Sequence, residues 1–390
     1  MKLQSDYSWI RGVNHHIEPE ETLRRHLGYG SRVGLNAVRI WLSRGAFEKD
    51  GERYVKSVVD FVRVCHDCGY KTMPILYNGN GRPLSEIETR DFWSRDEAFA
   101  DAIVPALRDE PGLLMWDIMN EPTCNPHVMG NPDKDEKARR EELTWEFVRH
   151  FCGYVRKLDP ENAITVGYTT AFEAEPTIES VDVLSFHDYS GTRASIERNY
   201  ALADELGRKY GKPVIQTETG CLARCNPYDL ALEACQRRNI GWFVFNLMIQ
   251  GRCGSEHGVF YDDGTVRDPT TIAAMMGCFR CRDTEAIVLP VMNREGAADR
   301  CVENIRKALT EYTCDAFDYR PSDVSSLLDA AEEAANLLEC CDMTPMALPP
   351  TAQILRWRKM ISSGEKVKLS EVREFAYGIA LSLRDQCQLL

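Results

Sequence analysis

The stretch Trp116-Asp117-Ile118-Met119-Asn120-Glu121-Pro122 decides how this chain folds. It is a short apolar run that closes on an amide and a carboxyl and is then stopped by proline, which has no N–H to give to a sheet ladder. A run bounded in this way reads as a strand buried on both faces of a parallel sheet, with its polar groups delivered at one end. Pro213-Val214-Ile215-Gln216-Thr217-Glu218-Thr219-Gly220 repeats the design and closes on Glu218. Working outward, similar runs are expected as strands at Trp9 to Asn14, Asn36 to Leu42, Thr72 to Tyr77, Leu113 to Met119, Ala163 to Tyr168, Val183 to His187, Val214 to Glu218 and Trp242 to Met248. Helical patterns fall between most of them, at Glu20 to Arg32, Arg53 to Cys68, Asp96 to Arg108, Glu141 to Lys157, Ala194 to Tyr210 and Pro227 to Arg238. Between the fifth and sixth strands there is room for a short helix at most, and the charge-rich stretch Asn131 to Glu142 reads as a solvated loop and helix start.

Eight strands alternating with helices in about 280 residues fit a (β/α)8 TIM barrel, an α/β fold whose usual size is about 250 residues. The rival, a doubly wound open sheet, would carry a Gly-rich phosphate loop after its first strand, and none is present. Beyond the barrel, assigned to residues 1–282, the strand pattern stops. Residues 283–390 read as a small all-helical domain, with helices at Arg300 to Tyr312, Asp323 to Cys341, Thr351 to Ser362 and Ser370 to Cys387. The stripe Val324, Leu327, Leu328, Ala331, Ala334, Ala335 and Leu338 has helical spacing and reads as core. Such a domain would dock on the barrel or on a second subunit, which gives a route to a homo-oligomer. In a barrel the functional groups gather at the C-terminal ends of the strands. Glu121 and Glu218 sit there on strands four and seven, with Asn14, His15, Arg39, Trp41, Asn78, Asn120, His187, Tyr189 and Asn246 as further lining.

Composition narrows the partners. The 390 residues carry a net charge of −13, and no Lys/Arg run is long enough to follow a phosphate backbone, so nucleic acid is not expected. No segment approaches the ~18 uninterrupted apolar residues of a membrane helix, and Met1-Lys2-Leu3-Gln4-Ser5-Asp6 lacks the apolar core of a signal peptide, which points to a cytoplasmic protein. The 15 cysteines are odd in number and mostly lie inside apolar patterns, so reduced buried thiols are expected rather than a disulfide framework. Cys65-His66-Asp67-Cys68 has metal or redox spacing, but no second Cys/His pair follows it.

Two carboxyls converging at strand exits suit chemistry in which one group attacks a carbon while the other protonates a leaving oxygen. The motifs holding them, together with Ser185-Phe186-His187-Asp188-Tyr189 and Arg11-Gly12-Val13-Asn14, resemble those of retaining glycoside hydrolases on (β/α)8 barrels. The resemblance is to glycoside hydrolase family five and its clan of cellulases, mannanases and β-mannosidases. It covers about residues 8 to 281, with His257 to Pro269 similar to the closing stretch of such barrels. It implies Glu121 as general acid/base and Glu218 as nucleophile. It implies Arg39 as the cation beside Glu218, Asn120 as donor to the sugar 2-hydroxyl, Tyr189 as a contact of the nucleophile and His187 as a neighbour of the acid/base. The acid/base must hold a proton near neutral pH, so a raised pKa is expected for Glu121. Trp41, Trp242 and Phe245 offer aromatic faces for a sugar ring.

Many family-five enzymes carry a histidine after strand three and a tryptophan after strand eight. Here Tyr77-Asn78-Gly79-Asn80 and Phe243-Val244-Phe245-Asn246 stand in those places, and Asn78 is expected to replace one contact. The expected function is a retaining β-glycosidase, β-mannosidase- or β-glucosidase-like, acting on short oligosaccharides with neither metal nor organic cofactor. Two rivals remain. A metal-dependent barrel hydrolase would use Asn14-His15-His16, His187 and Asp188, although adjacent His15 and His16 point to opposite faces of a strand. A non-catalytic carbohydrate-binding barrel would not need both glutamates.

Overall fold

Eight parallel strands close on themselves in chain order: β1 Arg11–His15, β2 Ala37–Trp41, β3 Lys71–Asn78, β4 Trp116–Asn120, β5 Ile164–Tyr168, β6 Leu184–Asp188, β7 Val214–Thr219 and β8 Gly241–Val244. Closure is made by β1 pairing with β8, Gly12 opposite Phe243 and Val13 opposite Val244. This is the (β/α)8 barrel expected from the alternating pattern. The computed structural model describes residues 3–129, 131–251, 254, 256–279, 301–305, 321–340 and 350–387. The chain divides into two units, Met1–Arg280 and Cys281–Leu390.

The helices around the barrel are α1 Glu20–Ser31, α2 Arg44–Asp50, α3 Glu52–Asp67, α4 Leu84–Glu88, α5 Arg90–Leu107, α6 Pro126–Met129, α7 Lys134–Leu158, α8 Arg193–Tyr210, α9 Tyr228–Arg237 and α10 Pro269–Met275. In α1 the buried residues Leu23, His26, Leu27 and Gly30 recur at helical spacing, and that stripe packs on the sheet. Helix α7 begins well before the expected Glu141. Asp133 caps it by accepting from the amides of Asp135 and Glu136 at 3.0 and 3.1 Å, and Glu136 pairs with Arg139 and Arg140. The charge run is therefore a short loop leading into a capped helix start with i,i+3 and i,i+4 ion pairs, the helix taking up more of it than expected. Between β5 and β6 the chain makes only two 3-10 turns, Ala171–Glu173 and Ile178–Ser180, as the short spacing required.

Inside the barrel the side chains form two layers of opposite character. At the N-terminal end, Tyr7, Ile10, Ala37, Met73, Leu114, Met115, Ala163, Val183, Ile215 and Phe243 make an apolar plug. Gly12 belongs to this packing, since a Cβ there would run into the Phe243 ring. Toward the C-terminal end the interior turns polar, with Asn14, Arg39, Asp117, Asn120, His187 and Glu218 all buried.

The second unit contains α11 Pro321–Cys340, α12 Pro350–Ser362 and α13 Leu369–Cys387. Its core is the expected stripe from Val324 to Leu338, joined by Ile354, Trp357, Val372, Ala376 and Ile379, with Trp357 edge-on to Phe375. The helix expected over Arg300 to Tyr312 lies mostly outside the described residues. Among the described residues no helix is long and apolar enough to cross a membrane.

Candidate active site

Arg39 organises the polar end of the barrel. It is fully buried on β2, and four acceptors from three other strands surround its guanidinium. Nε donates to Asp117 Oδ2 at 2.9 Å, Nη1 to Glu218 Oε1 at 2.5 Å and to Asn14 Oδ1 at 3.1 Å, and Nη2 to Asn120 Oδ1 at 2.8 Å. Burial works against its charge, but Asp117 and Glu218 outweigh that and push its pKa above the ordinary arginine value. The planar fork offers more donors than a lysine ammonium, enough to meet all four acceptors at once. Asp117 was not singled out in the sequence. The available signal was a charge in mid-strand, which burial permits only when it is paired.

Glu218 leaves β7 with 5% of its surface exposed, held on one oxygen by Arg39 and on the other by the Tyr189 hydroxyl at 2.9 Å. Burial, then the charge of Glu218, push Tyr189 well above the ordinary phenol range, so it stays a donor. Glu121 stands differently. It follows the last residue of β4 with φ 45°, in the left-handed region that costs a non-glycine residue energy. Its amide donates to the Gly167 carbonyl at 2.7 Å, and Gly79, whose Cβ would collide with the Glu121 carbonyl, allows the β3 exit to pass against it. Its carboxylate Oε1 lies 3.0 Å from His187 Nδ1, which is also 3.7 Å from Glu218 Oε2.

The expected raised pKa of Glu121 is not what the free protein has. Burial does push it up, but the His187 hydrogen bond and charge, a contact with Cys124, and Arg39 bring it below the ordinary glutamate value. Burial, then Glu121 itself, drive the Cys124 thiol up to about 11.

The remaining expected residues divide. Asn120 accepts from Arg39 and donates to Asn78 Oδ1 at 3.0 Å, so Asn78 does belong to this network. His187 and Tyr189 both reach the glutamates. Trp41 and Phe245, both half-buried, meet edge-on at 5.6 Å, with the Arg39 guanidinium 5.3 Å from the Trp41 ring. Trp242 does not join them. The β8 side chains alternate, Phe243 points into the plug, and Trp242 therefore faces the helix layer, 3% exposed, with Arg11 at 5.5 Å from its ring. His15 is likewise turned outward, against His26 at 3.2 Å, and burial, then His26 and His16, drive it down to about 3. Asp188 is engaged by Asn199 and Ser190, so His15, His16 and Asp188 do not gather around His187. Cys65 is a buried thiol pushed up to about 12 by burial, unlike a reactive one. A residue that was overlooked is His257, whose ring lies 4.8 Å from Phe245 and 5.8 Å from Tyr189.

Gly167 on β5 adds only backbone and space. Its amide donates to Asp117 Oδ1 at 3.0 Å, and a Cβ there would meet Arg39 Nη2 at 2.6 Å, Asp117 at 3.0 Å and His187 Nε2 at 3.2 Å.

This arrangement has known relatives. A family model described as cellulase (glycosyl hydrolase family 5) matches residues 5–251. The chain is 27% identical over 149 residues to a probable mannan endo-1,4-beta-mannosidase C of Aspergillus terreus, covering 32% of this chain and 36% of that one. It is 25% identical over 164 residues to a putative mannan endo-1,4-beta-mannosidase 9 of Oryza sativa subsp. japonica, covering 35% and 38%. It thus spans a little over a third of these curated relatives. Among solved structures, the endo-1,4-beta-mannanase of Rhizomucor miehei shares the fold at 13% identity with TM-score 0.54, over 68% of this chain and 92% of that one. A GH5_18 protein from Streptomyces cattleya in complex with GlcNAc does so at 15% and 0.53, over 68% and 78%. With residues 5–251 matched by that family model, the chain belongs to glycosyl hydrolase family 5.

Proposed function

We propose that this protein is a retaining β-glycosidase that cleaves short β-linked oligosaccharides by double displacement, with Glu218 as nucleophile and Glu121 as acid/base. One observation carries the reading: an oxygen of Glu121 and an oxygen of Glu218 lie within 4.8 Å of one another. Retaining enzymes hold their carboxyls about 5–5.5 Å apart, whereas inverting ones leave about 6.5–9.5 Å for a water. In the first step a Glu218 oxygen bonds to the anomeric carbon as the glycosidic C–O bond breaks, and Glu121 gives its proton to the departing oxygen. In the second, Glu121 takes a proton from water, whose oxygen attacks the anomeric carbon and releases Glu218.

The surroundings suit these roles. Arg39 and Tyr189 occupy both Glu218 oxygens with donors, which orients the attacking carboxylate and takes up charge as the bond to sugar breaks. His187 faces both carboxyls, and exclusion of water by bound substrate favours the protonated Glu121 that the first step needs. Asn120, its amide oriented by Arg39 and Asn78, is assigned to the 2-hydroxyl of the sugar being cleaved. Trp41 and Phe245 form the wall for its ring.

Mannose is the favoured sugar, with glucose second, because the sequence relatives are named as mannan endo-1,4-beta-mannosidases. Aryl β-mannosides and β-glucosides, followed by β-1,4-linked di- to hexasaccharides, rank the sugar and chain length directly. The anomer released first decides the mechanism. Retained β product, and azide rescue of Glu218→Ala to give an α-glycosyl azide, are expected; an inverted first-formed sugar would overturn the proposal.

A further inference from the structure

A second group of side chains converges where the chain leaving β7 meets the chain after β8. Cys221, Glu256 and His257 each bring one metal-ligating atom to a common point, the three atoms lying within 4.8 Å of one another. Cys221 is buried, at 1% exposure. Neither its thiol nor the Glu256 carboxylate has a hydrogen bond or ion pair among the described residues. The two segments are already joined by their backbones, the Leu222 amide donating to the Glu256 carbonyl at 2.9 Å, and the Arg267 side chain holds the His257 carbonyl at 3.0 Å.

The orientation of His257 is the informative detail. Its Nδ1 lies 2.7 Å from the Gly220 carbonyl. A carbonyl only accepts, so Nδ1 carries a hydrogen, which leaves Nε2 as the ring nitrogen free to serve as a ligand. Metal-binding histidines are held in this way, one nitrogen donating to a carbonyl while the other faces the ion.

We propose that Cys221, Glu256 and His257 form a Zn2+ site, with thiolate, carboxylate and Nε2 as three ligands and water as the fourth. A sulfur, nitrogen and oxygen set suits a borderline ion such as Zn2+ and not Mg2+ or Ca2+, which take oxygen. Binding releases the Cys221 proton to solvent. The ion takes no part in breaking the glycosidic bond. It fastens the residue three positions after Glu218 to the histidine whose ring packs on Phe245 and Tyr189, and so stiffens that wall of the cleft.

The test is metal binding by the full chain, independent of any hydrolysis. Chelator-stripped protein is titrated with Zn2+ by calorimetry and with Co2+ by absorption. One equivalent per chain is expected, with a thiolate-to-cobalt charge-transfer band that disappears in Cys221→Ser. His257→Gln should weaken Zn2+ by more than about 100-fold, beyond the ~10–100-fold typical of losing an outer partner. Glu256→Gln, at an exposed position, tests the site without disturbing the fold and should also weaken binding. No stoichiometric binding would overturn the site. So would a charge-transfer band that survives Cys221→Ser, which would place the ion on another thiol. Unchanged affinity in Glu256→Gln, or binding abolished by His187→Asn, would equally overturn it, the latter placing the ion between the two catalytic carboxyls.

Discussion

The two ends of the barrel interior are built on opposite terms. At the N-terminal end ten apolar side chains fill the space and pack on one another. A few ångströms further along the same strands, Arg39, Asp117, Asn120, His187 and Glu218 are as deeply buried yet polar. Burying charge is costly unless every member is paired, and removing one partner strands the others. The apolar layer therefore carries stability alone, and the polar layer, to which the proposed function assigns the chemistry, depends on staying complete.

Substitutions that separate the layers test this contrast, and the largest effect is expected from Glu218→Gln. It keeps the shape and a hydrogen-bond acceptor for Arg39, so the melting temperature should stay near that of the parent. The kcat/KM should fall on the order of 10^4-fold or more. Arg39→Met should fail on both counts. Asp117 and Glu218 lose their common cation, at about 3–5 kcal/mol in denaturant unfolding, and turnover is lost with it. Phe243→Ala is the opposite case: about 3–5 kcal/mol of stability lost from the plug, with activity per folded molecule retained. If that variant lost activity at temperatures where it is folded, the division between the layers would be wrong. Phe245→Ala should raise KM up to about tenfold, the scale of one aromatic contact, whereas Trp242→Leu, facing the helices, should leave KM unchanged.

The smallest effect is the most local. With His187→Asn the lowering charge is gone and burial remains, so the Glu121 carboxyl, followed by its carbon-13 chemical shift, should titrate at higher pH than in the parent. The sign for stability follows. A depressed carboxyl contributes above its unfolded pKa, and that contribution is lost as pH falls through the folded value. The parent should therefore lose stability in acid that the variant never had. A Glu121 titration unmoved by the substitution would refute the pairing.

The strands and both glutamates were legible because a buried parallel strand must be an uninterrupted apolar run, and a carboxyl at its end has few other reasons to be there. Arg39 followed from its place among the same strand ends. What escaped was whatever depends on the neighbouring strand. Trp242 and Phe245 lie three apart on one run, and only the pairing of Gly12 with Phe243 decides which way each faces. The pKa of Glu121 depends on His187 from β6, a contact between residues 66 positions apart. Asp117 was visible as a misplaced charge but had no partner until Arg39 arrived across the barrel. His257 stood in a segment read only for its general likeness.

Gly167 sets a boundary on how this cleft can change. Its strand places no side chain at the centre, and the room it leaves is taken by the guanidinium, the Asp117 carboxylate and the imidazole. That sector of the floor is closed to variation, because any residue with a side chain would have to displace the machinery itself. On the proposed function, new sugar preferences would be written elsewhere on the rim, at positions such as Trp41, Asn78 and Phe245, where a change of shape would leave Glu121 and Glu218 where they are.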